Sequence, residues 1–324
     1  MAMVGMPMLV LASPLEVTTT FDNIPATTSS TFNSNTESSA SSSIPSSSNA
    51  IPDTTQSEIT PDKTSGPISD PKFGLLSCMG IYTGSGVDWF TTSLCALLRS
   101  NPDKVKDSIK INKGSYDNAE SAIFTVYDLD RKVNNVTVNY KDVQNKVIEN
   151  EVSKRKDWNN APNSWFAGGF TQAIISTGGS GVKDGYLRWD KDDSDDYLVE
   201  AGKLGLEYLT GIEAVKEDPV KDGKNWGMSS SEGELQADKS VDDWMNKAYP
   251  NPATILTNDT PVKGLGLNPK TYYTVAFRAF ENNTISLWHT STGKSGSNLY
   301  VTVSPENLKA STRYLYHLKD WATY

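Results

Sequence analysis

The sequence is poor in the residues that build metal centres and nucleophilic active sites. Its 324 residues include two cysteines, Cys78 and Cys95, and two histidines, His289 and His317. That inventory excludes a zinc site of the ordinary Cys/His type. It also gives no disulfide-framework signature. The two cysteines could form one disulfide, but Cys95 lies in the apolar run Leu94–Leu98 and reads first as a buried free thiol. Basic residues are absent from the start of the chain, the first being Lys63. No basic cluster occurs later and the net charge is −9, which argues against nucleic acid and anionic membrane as partners. Long apolar runs are missing as well. The N-terminal one is short and broken by Pro7, so no membrane span is expected.

What that first stretch does carry is MAMVGMPMLVLASPL, whose apolar run ends with Val10 and Ala12 at positions that suit signal-peptidase cleavage. Residues 1–15 are therefore a candidate signal peptide without a basic start, and the expected localisation is secreted. From Glu16 to Asp70 the composition is dominated by Ser, Thr, Pro and Asn. Such a segment buries too little apolar surface to offset the entropy of ordering its backbone, so disorder is predicted for 16–70. It also resembles an O-glycosylated stalk. Three Asn-X-Ser/Thr sequons, at Asn135, Asn258 and Asn282, are candidate glycosylation sites compatible with secretion.

Residues 71–324 hold the periodic sequence, helix-rich over 71–247 and β-rich over 248–324. Phe90, Leu94, Leu97 and Leu98 have helical spacing, with Asp88 as a plausible N-cap. Asn101-Pro102 ends that helix and opens another. Ala122–Tyr127 and Val136–Tyr140 read as a hairpin, and Trp165–Ile175 as a second helix weakened by Gly168 and Gly169. Strands are predicted at Tyr272–Phe280, Thr284–Trp288, Leu299–Val303 and Tyr314–Leu318, with a short helix opening at Ser304-Pro305-Glu306. A helix-rich part followed by a β-rich part predicts an α+β fold of two packed lobes with a cleft between them.

The order of these parts resembles the calpain family of papain-like cysteine proteases, over about three quarters of the chain. The likeness rests first on Tyr82-Thr83-Gly84-Ser85-Gly86-Val87-Asp88-Trp89-Phe90 and the apolar helix after it. Ile123–Asp128, Trp165–Ile174 and Leu206–Gly211 look like the family's hairpin, second helix and following Leu-Thr-Gly element. Thr271-Tyr272-Tyr273-Thr274-Val275 lies where the family has His-Ala-Tyr-Thr-Val, and Ile285–His289 where it has a strand ending Arg-Asn-Pro-Trp-Gly. The family mechanism uses a helix-N-terminal thiolate, an imidazole base, an Asn that orients it and an oxyanion-binding Gln. Carried over by position, the nucleophile falls on Asp88 and the Gln on Tyr82. The base falls on Thr271 and the Asn on His289. None is retained. A carboxylate is a poor acyl acceptor beside a thiolate, and Thr cannot act as base at neutral pH.

The resemblance therefore implies a pseudoprotease whose former substrate cleft, flanked by Tyr82, Asp88, Trp89, Thr271 and His289, binds a polypeptide. Asp88 and His289 would face one another as a carboxylate–imidazole pair. Two other readings stay open: an active endopeptidase using a displaced Cys, and a stalk-presented structural head. No cofactor is expected. Conventional calpains need calcium, but the acidic run with Asp190, Asp192, Asp193, Asp195 and Asp196 departs from an EF-hand loop and is at most a weak calcium site. Trp158 to Trp165, Trp226 and Trp244 are core packing or, less often, a peptide- or glycan-binding groove.

Overall fold

The computed structural model describes residues 63–70, 76–81, 87–145, 164–178, 182–183, 186–187, 195–218, 226–229, 235–239, 241–289, 300–322 and 324, all within the compact unit Ser57–Tyr324. After a short 3-10 turn, Cys78–Gly80, come helices α1 (Asp88–Ser100) and α2 (Pro102–Asp107). Trp89 through Leu98 are all buried, so α1 is enclosed on every side rather than amphipathic. The Asn101 side chain accepts a bond from the Lys104 amide at 3.2 Å and Pro102 fills the first turn, which is why α2 starts there.

Strands β1 (Ile109–Ser115), β2 (Asn118–Tyr127) and β3 (Val133–Asn139) form a three-stranded antiparallel sheet. The expected hairpin is β2–β3. The added strand β1 has little apolar signal because most of its residues are exposed. Order also begins earlier than the predicted boundary at Asp70. Gly66 bridges Ala119, Ile68 is fully buried, and Trp165 Nε1 donates to the Gly66 carbonyl at 3.1 Å. A Cβ on Gly66 would overlap the Tyr140 ring, so this glycine is required where the segment meets the sheet. Helix α3 (Phe166–Ser176) lies over β2, and a Cβ on Gly169 would overlap the Phe124 ring. The glycine that weakens the helix in isolation is what lets it pack on β2.

A two-stranded ribbon of β4 (Val182–Lys183) and β5 (Tyr186–Leu187) precedes α4 (Asp195–Thr210). Then follow β6 (Ala214–Glu217), the ribbon β7 (Trp226–Ser229) and β8 (Leu235–Lys239), and α5 (Val241–Ala248). The rest is β9 (Ala253–Thr257), β10 (Tyr272–Ala279), β11 (Thr284–Trp288), β12 (Tyr300–Val303), α6 (Pro305–Ser311) and β13 (Thr312–Leu318). The Ser304 side chain caps α6 by accepting from the Asn307 amide at 3.3 Å. Six strands make one antiparallel sheet in the order β12-β11-β10-β9-β13-β6. The fold is α+β, and β6, from before residue 248, closes one edge of the sheet built by the later strands.

Strand alternation on β10 feeds two hydrophobic cores. Tyr272 and Ala276 join the core of Trp89, Phe90, Phe124 and Trp165. Tyr273 and Val275 join the core of Trp244, Ile255, Leu287 and Leu315. Trp165 and Trp244 are thus core residues that line no groove. Trp158 lies outside the described residues. Helix α1 is fastened to β10 by Thr274, whose hydroxyl donates to the Thr92 carbonyl at 2.6 Å, and by Arg99, which donates to the Val275 carbonyl at 2.8 Å.

The expectation of a free Cys95 thiol is overturned, because Cys78 and Cys95 form a disulfide. The apolar neighbours of Cys95 report burial correctly, with 0 % exposure, but they carry no information about a partner 17 residues earlier. Among the described residues, no helix is long and apolar enough to cross a membrane. Of the acidic run, Asp190, Asp192 and Asp193 lie outside the described residues, and Asp195 and Asp196 open α4.

Candidate functional site

Asp88 does not cap α1. The N-cap is Val87, and its carbonyl already accepts the Phe90 and Thr91 amides, each at 3.1 Å. Asp88 is the first helical residue, and its side chain reaches sideways instead. Oδ2 accepts the Tyr272 amide at the start of β10, at 2.9 Å. The amides of Asp88 and Trp89 also point at this carboxylate. A helix N-terminus and a strand N-terminus therefore converge on one carboxyl group, which suits negative charge.

His289 follows directly after β11. The pairing of Thr274 with Trp288 sets it beside Tyr273, with ring centroids 5.2 Å apart. From there it interacts electrostatically with Asp88. Burial raises the Asp88 pKa, against the lowering effect of His289 and the three amides. Burial lowers the His289 pKa, and the Asp88 charge opposes it. Asp88 and His289 are each half-buried.

Thr271 adjoins this point through the Tyr272 amide, yet its side chain turns away. Its hydroxyl donates to the Pro269 carbonyl at 2.9 Å, and its amide donates to Thr257 Oγ1 at 2.9 Å. Trp89 does not flank an opening, since at 1 % exposure it belongs to the core. Tyr82 lies outside the described residues. The structure thus brings Asp88, His289 and the backbone beside Thr271 together and leaves Trp89 out. The Tyr272 amide escaped sequence reading because a backbone donor has no residue-type signature.

Chemically, this arrangement offers a carboxyl group and an imidazole that can share a proton. It offers no thiolate, because both cysteines are joined to each other. The other histidine is elsewhere: His317 Nε2 pairs with Glu217 Oε1 at 2.8 Å, and both side chains are almost wholly buried.

The pKa directions predict the pH response. A raised carboxyl pKa means that protonated Asp88 stabilises the fold below its ordinary value of 3.8, a contribution lost as pH rises through the raised value. Neutral His289 contributes above its ordinary 6.5, and this is lost as pH falls through the lowered value. Asp88→Asn keeps an oxygen for the Tyr272 amide and carries no charge. Its melting temperature should exceed that of the wild type at pH 7 and match it at pH 3. A lower value at pH 7 would mean that the carboxylate charge is net stabilising.

No protein-family model matches the chain, and no curated protein matches its sequence.

Proposed function

We propose that the chain is a calpain-like pseudoprotease, a secreted protein whose cleft at the start of α1 holds a polypeptide without cutting it. The observation that carries this reading is the Asp88 carboxylate bound to the Tyr272 amide, with His289 opposite. The resemblance assigns a nucleophilic thiol to that helix position. Helix-N-terminal amides and a neighbouring imidazole are what would favour a thiolate there. A carboxylate accepts the same hydrogen bonds but is a poor acyl acceptor, so the surroundings of a nucleophile persist around a side chain that cannot do its work. Two cores divided by β10 fit a two-lobe arrangement. A buried disulfide fits an oxidising compartment, which supports secretion.

Asp88→Cys tests the reading. The introduced thiol should be labelled by a peptidyl epoxide with saturable kinetics, at least about tenfold faster than by a peptide-free epoxide of equal reactivity. Excess unreactive peptide of the same sequence should slow that labelling. Non-saturable labelling at equal rates by both reagents would refute a peptide-binding cleft at Asp88.

A further inference from the structure

The turn between β10 and β11 carries Phe280-Glu281-Asn282-Asn283-Thr284, which contains one of the three sequons. The Asn283 amide donates to the Phe280 carbonyl at 3.3 Å, closing the turn, and Asn283 adopts a left-handed backbone (φ 46°) that Asn tolerates. The Asn283 side chain is committed, accepting from Arg278 Nη2 at 3.1 Å. Asn282 is exposed at the tip.

The other two sequons differ. Asn258 donates through Nδ2, the atom that would carry a sugar, to the Ala310 carbonyl at 2.7 Å, and its Oδ1 accepts the Thr260 amide at 3.0 Å. Asn135 lies within β3, with its Oδ1 accepting from Thr125 Oγ1 at 2.9 Å.

A second observation points at Asn282. Phe280, two residues before it, is 64 % exposed, more than any other large hydrophobic residue described. Its ring is nevertheless held in place. It meets the edge of Tyr249 at 5.9 Å and lies 5.1 Å from the Arg278 guanidinium. The tight turn brings the side chains of Phe280 and Asn282 to the same end of the hairpin. An N-acetylglucosamine presents an apolar C–H face that can cover an aromatic ring.

We propose that Asn282 is an N-glycosylation site and that its first N-acetylglucosamine packs on Phe280. The proposal rests on the secretory routing argued above, not on the Asp88 cleft. The transfer forms a bond from Asn282 Nδ2 to the anomeric carbon of a lipid-diphosphate-linked oligosaccharide. The bond to the diphosphate breaks, the lipid diphosphate leaves with the electron pair, and the amide gives up one proton. Thr284 supplies the sequon hydroxyl.

The test is to secrete the full chain from a eukaryotic host behind a heterologous signal. Digestion with peptide N-glycosidase, followed by mass spectrometry, reads occupied Asn as Asp. Asn282 should be occupied, and Thr284→Ala should abolish its modification. Removing the glycan should lower the wild-type melting temperature by roughly 2 °C and leave that of Phe280→Ala unchanged. An unmodified Asn282 in the secreted protein overturns the proposal, and an equal shift in both proteins overturns the packing on Phe280.

Discussion

Replacing His317 with alanine should remove about 3 kcal/mol or more of stability and lower the melting temperature by roughly 10 °C. His317 on β13 and Glu217 on β6 are 2 % and 1 % exposed, and they join the edge strand to the six-stranded sheet. His317 Nδ1 lies 2.7 Å from the Leu318 carbonyl, which can only accept, so Nδ1 carries a proton. Nε2 and Glu217 Oε1, 2.8 Å apart, must then share the next one. The Trp321 ring stacks on the imidazole at 3.7 Å with 3° between the planes, fixing the chain end over the pair. Alanine would leave the Glu217 carboxyl buried without its partner, open a cavity, and remove the ring stacked on Trp321. Glu217→Gln can donate its amide N–H to the unprotonated Nε2 of a neutral imidazole and should lose only about 1 kcal/mol. Thermal unfolding of both variants checks this. Equal losses would show that charge, not hydrogen bonding and packing, is what the pair contributes.

That pair marks the limit of what the linear sequence displays. Local signals are legible. Asn101-Pro102 announces α2, Ser304-Pro305-Glu306 announces α6, and alternation announces β2, β3, β10 and β11. Strand β1 is hidden, because a mostly exposed strand lacks an apolar alternation strong enough to stand out. Gly169 misleads for a tertiary reason, since its lack of a side chain makes room for Phe124 from another element. Gly66 and Ile68 lie in sequence whose composition predicts disorder, and their order comes from backbone partners at Ala119 and Tyr116 that local composition cannot reveal.

The candidate site was legible to a similar extent. The proximity of Asp88 and His289 follows only from placing two distant segments on a common scaffold, and their electrostatic interaction is consistent with that placement. The role of Asp88 as a cap, inferred from its position alone, fails because the carboxyl instead accepts the Tyr272 amide at the start of β10. Trp89 looked like a cleft residue for the same positional reason, but helix geometry turns the side chain next to Asp88 into the core.

Removing the disulfide should have an effect comparable to losing His317. The Cys78–Cys95 bond closes a loop with a sequence separation of 17, for which chain-entropy arguments give about 3 kcal/mol of stabilisation. The loop contains the residues that lead into α1, so the bond restricts the unfolded chain where the helix bearing Asp88 must start. Cys95 is fully buried and Cys78 nearly so, which should make the bond slow to reduce in the folded protein. The double variant Cys78→Ser/Cys95→Ser should therefore melt roughly 6–12 °C lower than the wild type, whereas a mild reductant should change the native protein little until it unfolds. The position of the loss is also testable. Hydrogen exchange should quicken at Asp88 to Thr92 more than in the β1–β2–β3 sheet, because the tether acts on the start of α1. A variant with unchanged melting and exchange would mean that α1 is held by its contacts with α4 and β10 alone, and the disulfide would then be a consequence of the compartment rather than a support of the site.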